Sequence, residues 1–444
     1  MQRQRDWRRR WMAAWACALL AVLSLGCDAG APAQGATRFP TLVLVGIDGM
    51  RGDHLGRSGY PRATTPFIDA LAERSVAFER AYAASSRSLT SYASLLTGLA
   101  PGEHRLWHEQ ARLAPTLPTL AEQLQERGYS TAAFVSTRRA WRARGVARGF
   151  QHFSAPGPLY EARYRRGGET VDEALAWLEA QPQGQPLFLW IQLVDPTKPL
   201  NPLPDAGAQA LAGVTAEDLI AYKLERHRVP FGYFGYENLN MLRLVNRYDG
   251  ELRAADDALS RLYAGMGSGA GALWVVTSPH GMGLGNHLWD GAARQIYETQ
   301  VRVPLFVHTP GGELPARSSD VVVSQLDLGA ALLALVDGSN EPLEDLLGAG
   351  RTASRGAFVQ RGALGPLARD TGRIGRPVAD PGQQDAWVEA RWKLLRHSDG
   401  HEQLFDVAAD PYETRDRLDD APTEEIDRLR AALAAQLGSR GLDR

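Results

Sequence analysis

Residues 43–98 read "VLVGIDGMRGDHLGRSGYPRATTPFIDALAERSVAFERAYAASSRSLTSYASLLTG". The stretch opens as a near-continuous apolar, β-branched run from Thr41 and breaks at Asp48–Gly49. Such a run predicts a strand buried on both faces, and a charge directly after it sits at the strand's carboxyl end. "TTPFIDALAERS" (64–75) carries a Thr-Pro start signal and predicts a helix. "SLTSYASLLTG" (88–98) predicts a second helix over 91–98, closed by Gly98. Ser88 is placed either to cap that helix or to act from its N-terminus.

The same grammar continues outward. "STAAFVST" (130–137), "PLFLWIQL" (186–193), "ALWVVTS" (272–278) and "VPLFVHT" (303–309) predict further buried strands. Between them, "TLPTLAEQLQERGY" (116–129), residues 240–266 and "QLDLGAALLALVDG" (325–338) have helical apolar spacing, the last ending at Gly338. Strand-helix alternation predicts an α/β domain, a mostly parallel central sheet flanked by helices, over 41–345. Such sheets place ligands at the carboxyl ends of their strands. Past about residue 350 the pattern changes. "GAFVQR", "AWVEARWKLLRHSDG" and "HEQLFDV" predict an antiparallel meander turning at "SDG", and "TEEIDRLRAALAAQLGSR" predicts a closing helix. These make 346–444 a small C-terminal α+β subdomain.

The chain has 444 residues, 44% of them hydrophobic, enough for a large core, and a net charge of −2. With no basic stripe past the N-terminus, nucleic-acid binding is excluded. The only lysines are Lys198, Lys223 and Lys393, which leaves few candidates for a catalytic lysine. Residues 1–27 read as a basic segment, a short apolar segment and "LSLGC", a bacterial lipoprotein signal whose Cys27 takes the lipid. Cys17, the only other cysteine, lies within that signal, so no disulfide framework exists after cleavage. Residues 28–40 read as a flexible tether. The expected location is extracytoplasmic, lipid-anchored at a bacterial membrane.

The stretch at 43–98 resembles the N-terminal core of the sulfatase family, in the alkaline-phosphatase superfamily. Four more segments, in the family's order, extend the resemblance over residues 41–435. "PLFLWIQLVDPTKPL" (186–200) resembles its strand followed by Asp-Pro-His. "RYDGELRAADDALSRL" (247–262) resembles its Tyr-Asp-x-Glu helix. "TSPHGMGLGNHLWDG" (277–291) with "YETQVRVPLFV" (297–307) resembles its Ser-Asp-His-Gly segment. "WKLLRHSDGHEQLFDVAADPYETRDRL" (392–418) resembles its C-terminal signature. The resemblance implies hydrolysis of sulfuric or phosphoric esters at a divalent cation. It also implies that Asp48, Ser88 and His280 fall at metal-site positions, that Ser88 is the nucleophile, and that His287 keeps a family position near the ester, with Lys198 as a further catalytic candidate beside a departed motif position.

Several motif positions depart from the family pattern. Gly49 replaces a second Asp, although some branches also lack it, and Asp53 is expected to orient the local turn. The nucleophile motif Cys/Ser-x-Pro-Ser-Arg reads Ser88-Leu89-Thr90-Ser91-Tyr92, which implies no conversion to formylglycine. Thr197 stands for a charge-neutralising His, Ala292 for a Lys, and Pro279 for a metal-ligating Asp. Lys198 is either a substitute cation or a solvated side chain. A hard cation such as Ca2+ wants six or more oxygens, several of them carboxylates, and Asp48 alone is a carboxylate here. Asp48, Ser88 and His280 are expected to hold Ca2+ poorly, and Zn2+ or Mn2+ if any metal. His280 is equally readable as a structural histidine at a strand end. The aromatic-glycine loop "FGYFGYENLNM" (231–241) is either a stacking platform for sugar rings or packing within its own domain.

Two functions follow. One is a catalytically degenerate sulfatase-family protein that binds a ligand or partner. The alternative is a sulfuric or phosphoric ester hydrolase with an altered metal site and unmodified Ser88. Expected ligands are a sulfated or phosphorylated glycan or a small ester.

Overall fold

Alternation along the first strand sets the layers of the molecule. In β1 (Thr41–Ile47), Val43, Val45 and Ile47 enter one apolar cluster, and Leu42 and Leu44 enter another on the opposite face. Both faces are therefore covered, which is why the run reads as continuously apolar. The computed structural model describes residues 38–442 except 109, 138–140, 157–163, 198, 228–238, 270, 289, 349–355 and 364–381. The segment expected to be a lipoprotein signal, most of the expected tether, Lys198 and residues 231–238 of the aromatic loop lie outside the described residues.

The remaining strands of the large sheet are β2 (Val76–Tyr82), β3 (Ser130–Val135), β4 (His152–Ser154), β5 (Leu187–Leu193), β6 (Ala272–Thr277), β9 (Arg302–His308) and β10 (Arg317–Ser324). A two-stranded ribbon, β7 (Gly283–Leu284) with β8 (Asp290–Gly291), lies between β6 and β9 in the chain. The eight strands run in the order β10-β2-β9-β6-β1-β5-β3-β4, parallel except for β9, which is antiparallel to both its neighbours. The expected mostly parallel sheet is thus present. Three strands in it were not expected: β4, only three residues long, and the pair β2 and β10. The pair lies towards one edge of the sheet, and its charged and polar residues (Glu79, Arg80, Ser318, Asp320) break the apolar run.

One face of the sheet is covered by the long helix Leu239–Gly265, through Val245, Tyr248, Leu252, Ala255, Leu259 and Leu262. The other face is covered by the helices Ser88–Thr97 and Leu328–Val336, through Leu95, Leu96, Leu328 and Leu332. Gly98 and Gly338 end these two helices in the left-handed region, at φ 71° and 90°, as their placement in the sequence requires.

The C-terminal strands β11 (Ala357–Arg361), β12 (Gln384–Val388), β13 (Trp392–His397) and β14 (Glu402–Asp406) form the expected antiparallel meander. The helix Thr423–Ser439 packs Leu429, Leu433 and Leu437 on one of its faces. The other face meets Tyr82, Ile296 and Val301 of the large domain. There Lys393 is fully buried between Glu298 (3.2 Å) and Glu413 (2.9 Å). Burial, the largest influence, raises the Glu413 carboxyl to about 7, against the pull of the Lys393 charge.

Candidate functional site

The carboxyl ends of β1, β5 and β6 meet the N-terminus of the helix Ser88–Thr97. The first turn after β1 is pinned by backbone bonds to both neighbouring strand ends, Asp48 N to Leu193 O (2.8 Å) and Gly49 N to His280 O (3.0 Å). Tyr248, on the long helix, donates its hydroxyl to Gly49 O (2.8 Å) and accepts from Arg51 N (3.0 Å). Gly49 has φ 82°, and a Cβ there would stand 2.8 Å from Pro196 O. Any side chain at 49, the family's Asp included, is strained on both counts. Arg51 pairs with Asp53 and reaches Met282 O and Asn286, while Tyr412 donates to Asp53 (2.8 Å), so Asp53 does order this turn.

Both oxygens of the buried Asp48 carboxyl accept hydrogen bonds. Tyr92 Oη donates to Oδ1 (2.8 Å) and Gln192 Nε2 donates to Oδ2 (3.1 Å). The Tyr92 ring is fixed against Trp190 (4.9 Å between centroids) and Trp141 (5.6 Å). Its hydroxyl fills the space over Gly46, where an added Cβ would collide with it. Burial first, then the neighbouring Asp48 charge, raises the Tyr92 hydroxyl well above its ordinary range, so it stays protonated and donates.

Ser88 is the first residue of its helix, which begins three residues earlier than the spacing indicates. Arg87 is the cap residue, and its carbonyl accepts from Ser91 N (2.8 Å). Ser88 is therefore no cap. Its Oγ lies 2.8 Å from His280 Nε2, and the other ring nitrogen, Nδ1, lies 2.7 Å from Gly281 O. A carbonyl only accepts, so Nδ1 carries the proton; in the neutral ring Nε2 is then the acceptor for the Ser88 hydroxyl. Gly281 has no room for a side chain, because a Cβ would collide with the Thr299 carbonyl oxygen, and its N–H donates to Gln300 O (2.7 Å). The histidine is thereby held at a fixed height above the strand end.

Ser88 and His280 open into a cavity of about 230 Å³. Its wall also includes Thr197 and Ala292, the positions at which the family pattern has His and Lys, together with Arg87, Trp107 and His108. Thr197 is turned back on its own chain, donating Oγ1 to Val194 O (2.7 Å). Asp195, buried beside it, accepts from Gly167 N (3.0 Å), and burial raises its carboxyl.

Of the expected residues, Ser88 and His280 come together and Asp48 faces Tyr92 and Gln192. His287 has its Nε2 3.1 Å from Tyr412 O and stacks on Tyr297 at 3.7 Å; burial lowers it to about 4. Lys198 is outside the described residues. The residues at the strand ends do not fit a divalent cation. Asp48, the one carboxyl among the expected ligands, accepts a donor at each oxygen, Pro279 brings no side-chain oxygen, and no cluster of three or more His, Cys, Asp or Glu able to hold a metal exists among the described residues. Gln192 was detectable in sequence as a lone amide in an otherwise apolar strand. Tyr92 was not, since an aromatic residue fits the buried face of a helix equally well.

The sulfatase family model matches residues 40–339. The chain belongs to the sulfatase family. An arylsulfatase of Clostridium perfringens is 23% identical over 478 residues, spanning 90% of this chain and 95% of that one. A Delta 4,5-hexuronate-2-O-sulfatase of Bacteroides thetaiotaomicron is 23% identical over 438 residues, spanning 90% and 88%. A solved structure in complex with its substrate D-glucosamine-2-N,6-O-disulfate superposes with a TM-score of 0.70 at 17% identity, covering 91% of this chain and 98% of that one. Sulfatase membership accounts for an arrangement in which the segments after β5 and β6 and the N-terminus of the 88–97 helix line one cavity. It does not by itself fix the chemistry done there.

Proposed function

We propose that this sulfatase-family protein has lost metal-dependent sulfate-ester hydrolysis and keeps the cavity over Ser88 as a binding site. The observation that carries this reading is at Asp48. Asp48 is the single carboxyl among the expected ligands, and Tyr92 Oη and Gln192 Nε2 already draw on both its oxygens. A cation bound by one carboxyl remains mostly uncompensated, and its dehydration cost is not recovered. Two further changes act in the same direction. Transfer of a sulfuryl or phosphoryl group concentrates charge on several oxygens, which cations must meet. Thr197 and Ala292 supply none of that charge.

Sulfated-sugar substrates among the relatives support a glycan-type ligand for the cavity, with Arg87 as a cation and His108 as a polar group on its wall. The protein acts outside the cytoplasm, tethered through a lipid on Cys27; incorporation of labelled fatty acid at Cys27 tests the tether. Turnover of a generic aryl sulfate, with Ca2+ and with chelator, tests the loss of hydrolysis.

A further inference from the structure

The hydrogen bond between Ser88 and His280 has the form of a nucleophile with its base, and it needs no metal. We propose that Ser88 and His280 hydrolyse a short-chain acyl ester, the class of substrate admitted to the cavity above them. This rests on the reading that no cation occupies the strand ends.

Three features support it. Ser88 Oγ is 2.8 Å from His280 Nε2, within reach for proton transfer, and the Gly281 carbonyl at 2.7 Å fixes the tautomer that leaves Nε2 able to accept. Gly281 thus orients the base through its backbone. Second, the helix's first internal amide bond is Ser91 N to Arg87 O, so Leu89 and Thr90, both on the cavity wall, lie in the turn whose amides have no intrahelical acceptor. That positive end favours a single developing negative charge, which is what a carbonyl addition produces. A sulfate ester asks for much more charge than this turn provides. Third, the cavity of about 230 Å³ is smaller than the usual range for whole ligands, roughly 300–1,000 Å³. A short acyl group fits within that volume.

In the proposed reaction Ser88 Oγ bonds to the carbonyl carbon as its proton passes to His280 Nε2, and the carbonyl electron pair moves to oxygen. The addition product collapses, the ester C–O bond breaks, and the departing alkoxide takes the proton from Nε2 to leave as alcohol. Water then gives a proton to Nε2 and attacks the acyl-Ser88. Collapse releases the carboxylic acid, and Nε2 returns its proton to Ser88. The sum is ester plus water to acid plus alcohol.

The test treats the purified full chain, in chelator, with a fluorophosphonate probe and separately with 4-nitrophenyl acetate. The expected results are one adduct per chain, mapped to Ser88, and acetate release well above buffer. Ser88→Ala should abolish both, and His280→Gln should cut both by about 10²–10⁴-fold, the usual contribution of a positioned base. Ser88→Ala removes one oxygen and decides the matter if His280→Gln fails to fold. Absence of a Ser88 adduct, or acetate release that survives Ser88→Ala, overturns the proposal. The outcomes separate from those of the preceding reading. Probe labelling does not depend on a metal, whereas chelator-sensitive sulfate release would sink that reading whatever the probe shows.

Discussion

Tyr92→Phe removes one oxygen and keeps the ring that packs on Trp190 and Trp141. What is lost is the donor to Asp48 Oδ1, leaving the carboxyl with Gln192 as its side-chain donor. Asp48 is 1% exposed, so water does not readily replace the hydroxyl. Stranding a buried acceptor costs about 1–3 kcal/mol. At about 2.1 cal/mol/K per residue over roughly 400 residues, the unfolding entropy is about 0.8 kcal/mol/K, so Tm should fall by about 1–4 °C. Calorimetry of wild type and variant in chelator, at one pH, measures it. Gly49 and Pro279 still provide no ligands, so added Ca2+ should not restore the loss. A variant as stable as wild type would refute the claim that Tyr92 occupies the carboxyl. A variant that Ca2+ stabilises strongly would show that the hydroxyl alone keeps a cation out.

Gly281→Val should destabilise the fold severely, because its Cβ collides with the Thr299 carbonyl oxygen; thermal melts matching wild type would count against the placement of the histidine turn. Asp256 caps the helix Pro66–Ala72 by accepting from Phe67 N and Ile68 N, and burial raises its carboxyl from 3.8 to about 7. The folded protein therefore holds this proton to a higher pH than the unfolded chain. The contribution is fully present below 3.8 and lost as pH rises through about 7. In Asp256→Asn the decline in denaturant midpoint between pH 4 and 8 should be shallower, and an unchanged slope would remove Asp256 as its source. Cys27→Ala should abolish fatty-acid incorporation and release the protein from membranes; equal labelling of the variant would contradict lipid attachment there.

Legibility in the sequence followed burial. β1, β5 and β6 are covered on both faces, so their apolar runs stand out; β2 and β10, towards one edge, mix charges into the pattern and were missed. The empty motif positions were equally readable, since proline at 279 cannot ligate anything through its side chain. What surrounds those positions was not readable. Ser88 and His280 are 192 residues apart, and their contact exists only because the helix N-terminus is brought over the end of β6. Local spacing put the helix start at 91 and made Ser88 resemble a cap. The fold extends the helix back to Ser88 and turns that hydroxyl towards the histidine. Tyr92 was read only as the loss of the motif's arginine, and its contact with the Asp48 carboxyl appears only in the fold.

The most direct test of the central claim is aryl sulfate turnover by the purified chain, compared in saturating Ca2+ and in chelator. With Asp48 held by Tyr92 and Gln192 and no cation to acidify a nucleophile, the two rates should be equal and at background. Turnover well above background in Ca2+ that disappears in chelator would contradict it.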